Sequence, residues 1–173
     1  MSTDSPPPRP ADLMRHAIDL LSRRARSEAE LARALVRRGG DEETVAGILE
    51  RLRGLGYIDD AGLARRWVES RGTSRGRGVL AGELRRKGVD PAEALAERSD
   101  DDERAAALAA AVRKVGEAPR DTDRAAQARL AAHLRRRGFG WGTIRPVLSA
   151  LYAGSTGDDW EPAEELEDSD DVR

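Results

Sequence analysis

A chain of 173 residues with no cysteine and only two histidines, His16 and His133, has no disulfide or thiolate chemistry and no histidine pair for a metal. Aromatic residues make up 3% of it, so alanine and leucine must supply most of the core, which favours helices over sheets. The net charge of -2 hides a division: positions 158–173 hold nine acidic residues and one basic one, leaving a body of net +6 before a tail of net -8.

In chain order, residues 1–10 are proline-rich and polar and are expected to be disordered. A first helix is predicted over about Ala11 to Arg24, with Leu13, Ala17, Leu20 and Leu21 on one face. Ser27 followed by Glu30 is a capping box for a second helix, which Gly39-Gly40 ends. Asp41 caps a third, with Val45, Ile48, Leu49, Leu52 and Leu55 as its stripe. Asp60 is the expected cap of the helix Ala61 to Arg71, which presents Leu63, Trp67 and Val68. A basic loop over Gly72 to Gly78 leads into a fifth helix, and Asp90-Pro91-Ala92-Glu93 opens a sixth with a thin apolar stripe. Four acids, Asp100 to Glu103, start a seventh, where Leu108, Ala111, Val112 and Val115 are spaced for burial. After a loop over Glu117 to Asp121, an eighth and a ninth helix follow. The ninth carries Ile144, Val147, Leu148 and Leu151, with Pro146 predicting a kink or a late start. The stretch from Gly154 is an acidic tail expected to be disordered, read as solubilising or, alternatively, as a screen for the basic body.

One pattern occurs three times. Leu31, Leu35, Arg37, Arg38 and Gly39 recur as Leu80, Leu84, Arg86, Lys87 and Gly88, and again as Leu130, Leu134, Arg136, Arg137 and Gly138. Two leucines four apart share a helix face, two cations oppose the helix dipole, and glycine ends the helix. The period of 49 and then 50 residues implies an all-α array of three tandem three-helix units, over 11–60, 61–99 and 100–153.

The sequence resembles the RecX regulatory family. The likeness is densest in Tyr57-Ile58-Asp59-Asp60, in Ala64, Trp67, Val68 and Arg71, and in Gly78, Glu83, Leu84, Lys87, Gly88 and Val89; Leu63 stands where that family usually has an aromatic residue. The resemblance implies an elongated, curved molecule that binds the RecA recombinase filament on DNA, lies in its groove and suppresses its ATPase, strand-exchange and coprotease activities. It also implies a place in recombination, DNA repair and the SOS response, with no catalytic residues and no cofactor.

Arg65, Arg66, Arg71, Arg75, Arg77, Arg85, Arg86 and Lys87 span a helix, a loop and the next helix, and exceed what helix capping needs, so they are the expected partner-binding face. Charge reversal at Arg71, Arg75 and Arg77 is expected to weaken filament inhibition with the helices intact. Arg136 and Arg137 join this face as contacts, or serve only as dipole caps like Arg37 and Arg38. Asp59 and Asp60 read as caps, Trp67 as core, Trp141 as exposed, and both histidines as solvent-facing. The alternative is a DNA-binding protein built from helix-turn-helix-like units. Asp41-Glu42-Glu43, and Asp90 with Glu93, put carboxylates where phosphates would lie and oppose it. Residues 139–143 lack acids and leave weak direct DNA contact open. No phosphate loop, metal cluster or nucleophile–base pair suggests an enzyme. With no membrane-length apolar run and no apolar leader, a cytoplasmic monomer is expected.

Overall fold

The computed structural model describes residues 8–117, 119 and 123–153. The acidic tail and positions 1–7 of the proline-rich start lie outside these. Among the described residues the secondary structure is α1 (Pro10–Arg23), α2 (Glu28–Arg37), α3 (Glu42–Gly54), α4 (Asp60–Gly72), α5 (Arg77–Lys87), α6 (Ala92–Ala96), α7 (Asp100–Val115), α8 (Arg124–Arg136) and α9 (Trp141–Tyr152). Local chemistry sets the starts. Pro10 is the first residue of α1, where its fixed φ suits the helix and its missing N–H costs nothing. Ser27 and Glu30 form the expected capping box of α2, and Asp41 accepts from the Thr44 amide at α3. Ser99 and Asp102 form a second capping box at α7 that the sequence reading did not single out.

The helices pack broadly in threes, α1 to α3, α4 to α6 and α7 to α9. Each triplet has its own apolar cluster: Leu13, Leu31, Leu35 and Leu52 in the first, Leu63, Leu80 and Leu84 in the second, Leu130, Leu134, Phe139 and Ile144 in the third. The repeated leucines are all buried because the same helix face meets the same two neighbours in every unit.

Some expectations need correction. Asp59, not Asp60, caps α4 by accepting from the Gly62 amide, while Asp60 accepts from the Glu28 amide at the start of α2. Leu55 and Leu108 are exposed. The buried face of α7 carries the expected Ala111 together with Ala106, Ala107 and Ala110, small side chains that let α8 and α9 approach closely. Val112 and Val115 are half-buried, as are Trp141 and both histidines. The ninth helix does not start late: it begins at Trp141 and runs through Pro146, which has no N–H to give the carbonyl of Gly142 four residues back.

Neighbouring units meet through the ends of the leucine helices α2, α5 and α8. In each, the residue after the glycine donates its amide to the second leucine's carbonyl: Gly40 to Leu35, Val89 to Leu84 and Phe139 to Leu134. That turn exposes the last carbonyls of the helix, and the previous unit uses them. The Gly76 amide donates to the Arg137 carbonyl at 2.8 Å and the Gly78 amide to the Gly138 carbonyl at 3.0 Å. The start of α5 therefore has two of its orphan amides satisfied by orphan carbonyls of α8, and its N-cap residue, Gly76, supplies no side-chain cap. At the other junction the Ser27 hydroxyl donates to the Lys87 carbonyl, and Gly88 lies so close to Ala29 that a Cβ on it would stand 2.3 Å from the alanine methyl. The leucine helices thus abut head to tail in the order α8, α5, α2, opposite to the direction of the chain. Among the described residues, the hydrogen bonds between units join only adjacent ones.

Candidate protein-binding face

The second unit gathers its cations around a tryptophan. Trp67, on α4, donates its indole Nε1 to Glu83 Oε2 of α5 at 2.8 Å, and Glu83 is buried. A buried carboxylate needs countercharge, and Arg75 and Arg71 supply it from the loop and from α4. Arg71 also lies 4.1 Å over the indole ring and Lys87 lies 4.5 Å from it, so the ring is bracketed by cations. Lys87 in turn reaches Glu30 of the first unit at 3.2 Å. Cation–π contact, hydrogen bond and ion pair thus link α2, α4 and α5 into one network.

Other members of the expected face are also engaged. Arg65 pairs with Glu93 of α6 and with Glu97 just after it, and Arg66 with Asp59 at 3.8 Å. Arg77 pairs with Asp100 at 2.7 Å and donates to the Arg98 carbonyl. Arg137 donates to His133 Nε2 and to the Ser74 carbonyl, both at 3.1 Å, tying the third unit to the second. Burial, then the charges of Arg137, Lys114 and Arg136, hold the His133 pKa below its ordinary value. Arg85, Arg86 and Arg136 are exposed and enter none of the ion pairs described. Charge reversal at Arg71, Arg75 and Arg77 would therefore orphan buried Glu83 and break the Arg77 contacts, so it would not leave the helices intact as the sequence suggested. Arg71 and Arg75 still keep donors for a partner, because their side chains are 40% and 35% exposed and each guanidinium has five N–H groups.

Glu30 gives the junction between the first two units a pH dependence. Burial opposes its ionisation most strongly, yet hydrogen bonds from Arg24, the Ser27 amide and Lys87 prevail and lower its pKa from 4.5 to about 2. A depressed folded pKa contributes stability that is complete above the unfolded value and lost as pH falls through the folded one. Asp60 works in the opposite sense: burial raises its pKa despite the Glu28 amide, so its protonation on acidification favours the fold. Stability should fall between about pH 4.5 and 2, and Glu30→Gln should flatten that part of a denaturation-versus-pH curve. An unchanged slope in the variant would remove Glu30 from the account.

At the third unit, a cleft of about 650 Å³ opens beside the starts of α5, α7 and α9, lined by Arg77, Asp100, Arg104, Arg135, Gly140 and Thr143. The start of α9 has no side-chain cap and no acid in its first turn. Among the described residues no three His, Asp or Glu side chains group as metal ligands, and no helix is long and apolar enough to cross a membrane.

Profiles of RecX match the chain three times: its first three-helix domain at residues 14–52, its second at 59–95 and its third at 101–148. The chain belongs to the RecX family. Regulatory protein RecX of Mycobacterium sp. strain KMS is 39% identical over 162 residues, 87% of either chain. That of Amycolatopsis mediterranei is 38% identical over 135 residues, covering 75% of this chain and 77% of its own. The fold matches the crystal structure of RecX from Lactobacillus salivarius with a TM-score of 0.75 at 22% identity, over 82% of this chain and 96% of that one. A second RecX crystal structure matches at 0.72 and 24% identity, over 80% and 72%. These RecX relatives are named regulatory proteins rather than enzymes.

Two charged groups in and beside the expected face escaped the sequence reading. Glu83 belongs to the quoted family pattern, but its burial depends on arginines eight and twelve residues away. Arg98 and Glu103 form a buried ion pair, Nε to Oε2 at 2.6 Å, with side chains 7% and 3% exposed. Glu103 also accepts from the Arg77 amide, and Arg98 donates to the Gly72 carbonyl. Five acids and bases within six residues at Arg98–Glu103 were the only local signal of it.

Proposed function

We propose that the chain regulates the RecA recombinase: it binds the recombinase filament on DNA through the cationic side of its second unit and restrains ATP hydrolysis, strand exchange and coprotease activity. The chain works by binding alone, as a cytoplasmic monomer without cofactor. The observation that carries this reading is that Arg85, Arg86 and Arg136 are exposed and outside the described ion pairs, and Arg71 and Arg75 half-exposed, whereas Arg65, Arg66, Arg77 and Lys87 of the same region are paired with acids. Contacts spread over three rigid units add as avidity along a polymer, so no single contact need be strong.

Changing Arg85, Arg86 and Arg136 to glutamate removes no described ion pair. Titrated into RecA hydrolysing ATP on single-stranded DNA, this triple variant should inhibit at least about tenfold less well than the parent chain, with unchanged helix content. Full inhibition by the triple variant would move the contact elsewhere. Direct DNA binding is the second reading, favoured only at α9, where Arg104 and Arg135 flank an acid-free helix start. Glu42 and Glu43 are exposed in the first turn of α3 and oppose it in the first unit.

A further inference from the structure

The junctions between units show what the end of a leucine helix does in this fold, and at one such end the last carbonyls accept nothing among the described residues. At α5, the glycine turn receives the first turn of α2: the Lys87 carbonyl accepts from Ser27, Gly88 touches Ala29, and the Lys87 ammonium pairs with Glu30, the third residue of that helix. At α8, the Arg137 and Gly138 carbonyls accept the amides of Gly76 and Gly78, and the Arg137 side chain reaches the Ser74 carbonyl. Each end therefore takes a helix start with a small second residue, Ala29 or Gly78, and its last cation reaches the incoming segment, at a carboxylate of the helix in one case and at a carbonyl of the loop before it in the other.

The end of α2 has the same build. Gly39 has φ +95° and the Gly40 amide closes onto the Leu35 carbonyl at 3.0 Å. Arg38 stands where Lys87 and Arg137 stand. No unit follows on this side: the carbonyls of Arg37, Arg38 and Gly39 accept none of the hydrogen bonds described, Arg38 is exposed, and Val36 is 56% exposed. Pro8 lies against Gly39, but a proline has no N–H to give those carbonyls.

We infer that this end is a docking site for the first turn of a helix in the partner protein, with a small second residue and a carboxylate within reach of Arg38. This deepens the proposed function and rests on it, the partner being the recombinase subunit. Continuity with the two internal junctions fixes the occupant's geometry, and the paired cations Arg37 and Arg38 fix its charge. A second copy of the chain is the poorer occupant. Its only leucine-helix start outside a junction belongs to α8, whose second residue, Ala125, is small enough but whose other features do not match. Both internal junctions are made by groups that give a hydrogen to the waiting carbonyls, the Ser27 hydroxyl in one and the Gly76 and Gly78 amides in the other. The side chain that caps α8, the Asp123 carboxylate, has no hydrogen to give as Ser27 does and already holds the Ala126 amide, so only backbone amides are left for the waiting carbonyls. The first residue of α8 is exposed Arg124, which would meet Arg37 and Arg38 with like charge. The helix also begins a turn further ahead of its leucines: Leu130 is its seventh residue, whereas Leu31 and Leu80 are the fourth of theirs.

The test uses RecA filaments formed on poly(dT) with a non-hydrolysable ATP analogue, and measures co-sedimentation of the full chain. Val36→Asp with Arg38→Glu should weaken binding about tenfold or more. Arg51→Glu, an exposed control on α3 with the same charge change as Arg38→Glu, should shift it by less than about twofold. Helix content should match the parent for both. If the parent binds and the end variant binds equally well, the docking site is wrong while the proposed function stands. If the parent fails to bind, the proposed function falls and this inference with it. Equal weakening by Arg51→Glu would trace the loss to net charge and overturn the site. A parental dimer in sedimentation velocity that the end variant abolishes would overturn it too, since the end would then join two copies.

Discussion

Arg98→Met should destabilise the chain by about 3–5 kcal/mol, because it leaves the Glu103 carboxylate buried without its countercharge. The pair seals the contact between the second and third units. Glu103 holds both Arg98 and the Arg77 amide, and Arg98 holds the Gly72 carbonyl. Methionine fills part of the volume but meets none of those oxygens. Thermal unfolding should therefore shift down by roughly 10 °C, at the 2–4 °C per kcal/mol usual for a chain of this size. Adding Glu103→Gln removes the stranded charge and keeps an acceptor for the Arg77 amide, so the double variant should recover at least half of the loss. An Arg98→Met protein within about 1 kcal/mol of the parent would mean that the pair is not desolvated.

Gly138→Ala should cost about 3–4 kcal/mol, whereas Gly39→Ala should cost only about 1–2. The two glycines share a left-handed backbone, φ +87° and +95°, so the conformational penalty is common to both. Their surroundings differ. A Cβ on Gly138 would stand 2.3 Å from the Val79 amide nitrogen, so the unit boundary would have to open and release the Gly76 and Gly78 hydrogen bonds. Among the described residues, a Cβ on Gly39 would meet Pro8 alone, at 3.2 Å. The difference between the two losses in chemical denaturation isolates the boundary contact. Equal losses would mean that the glycines matter for backbone conformation alone.

The three helix endings could be read from sequence because the rule that makes them is local: nine residues contain the leucine pair, the cations and the left-handed glycine. The capping box at Ser27 was readable for the same reason. The buried face of α7 was not, since alanine fits either side of a helix and its pattern carries no phase; the aliphatic residues pointed to Leu108, which the structure leaves 40% exposed. Asp59 and Asp60 are adjacent and chemically alike, and only the approach of α2 decides that the second serves a different helix. The same limit governs the binding face. A cation count found its residues, but not which are spent internally: Lys87 meets an acid 57 positions away, and Arg77 meets one 23 positions away.

Three separate apolar clusters joined by hydrogen bonds and ion pairs set how the molecule responds to its surroundings. Opening a boundary uncovers amides, carbonyls and charged groups, with Ala29 and Val79 as apolar contacts, so it should carry a smaller heat-capacity change than melting a block. The boundaries should therefore respond to ionic strength and acidity more than to warmth, and the blocks themselves in the reverse sense.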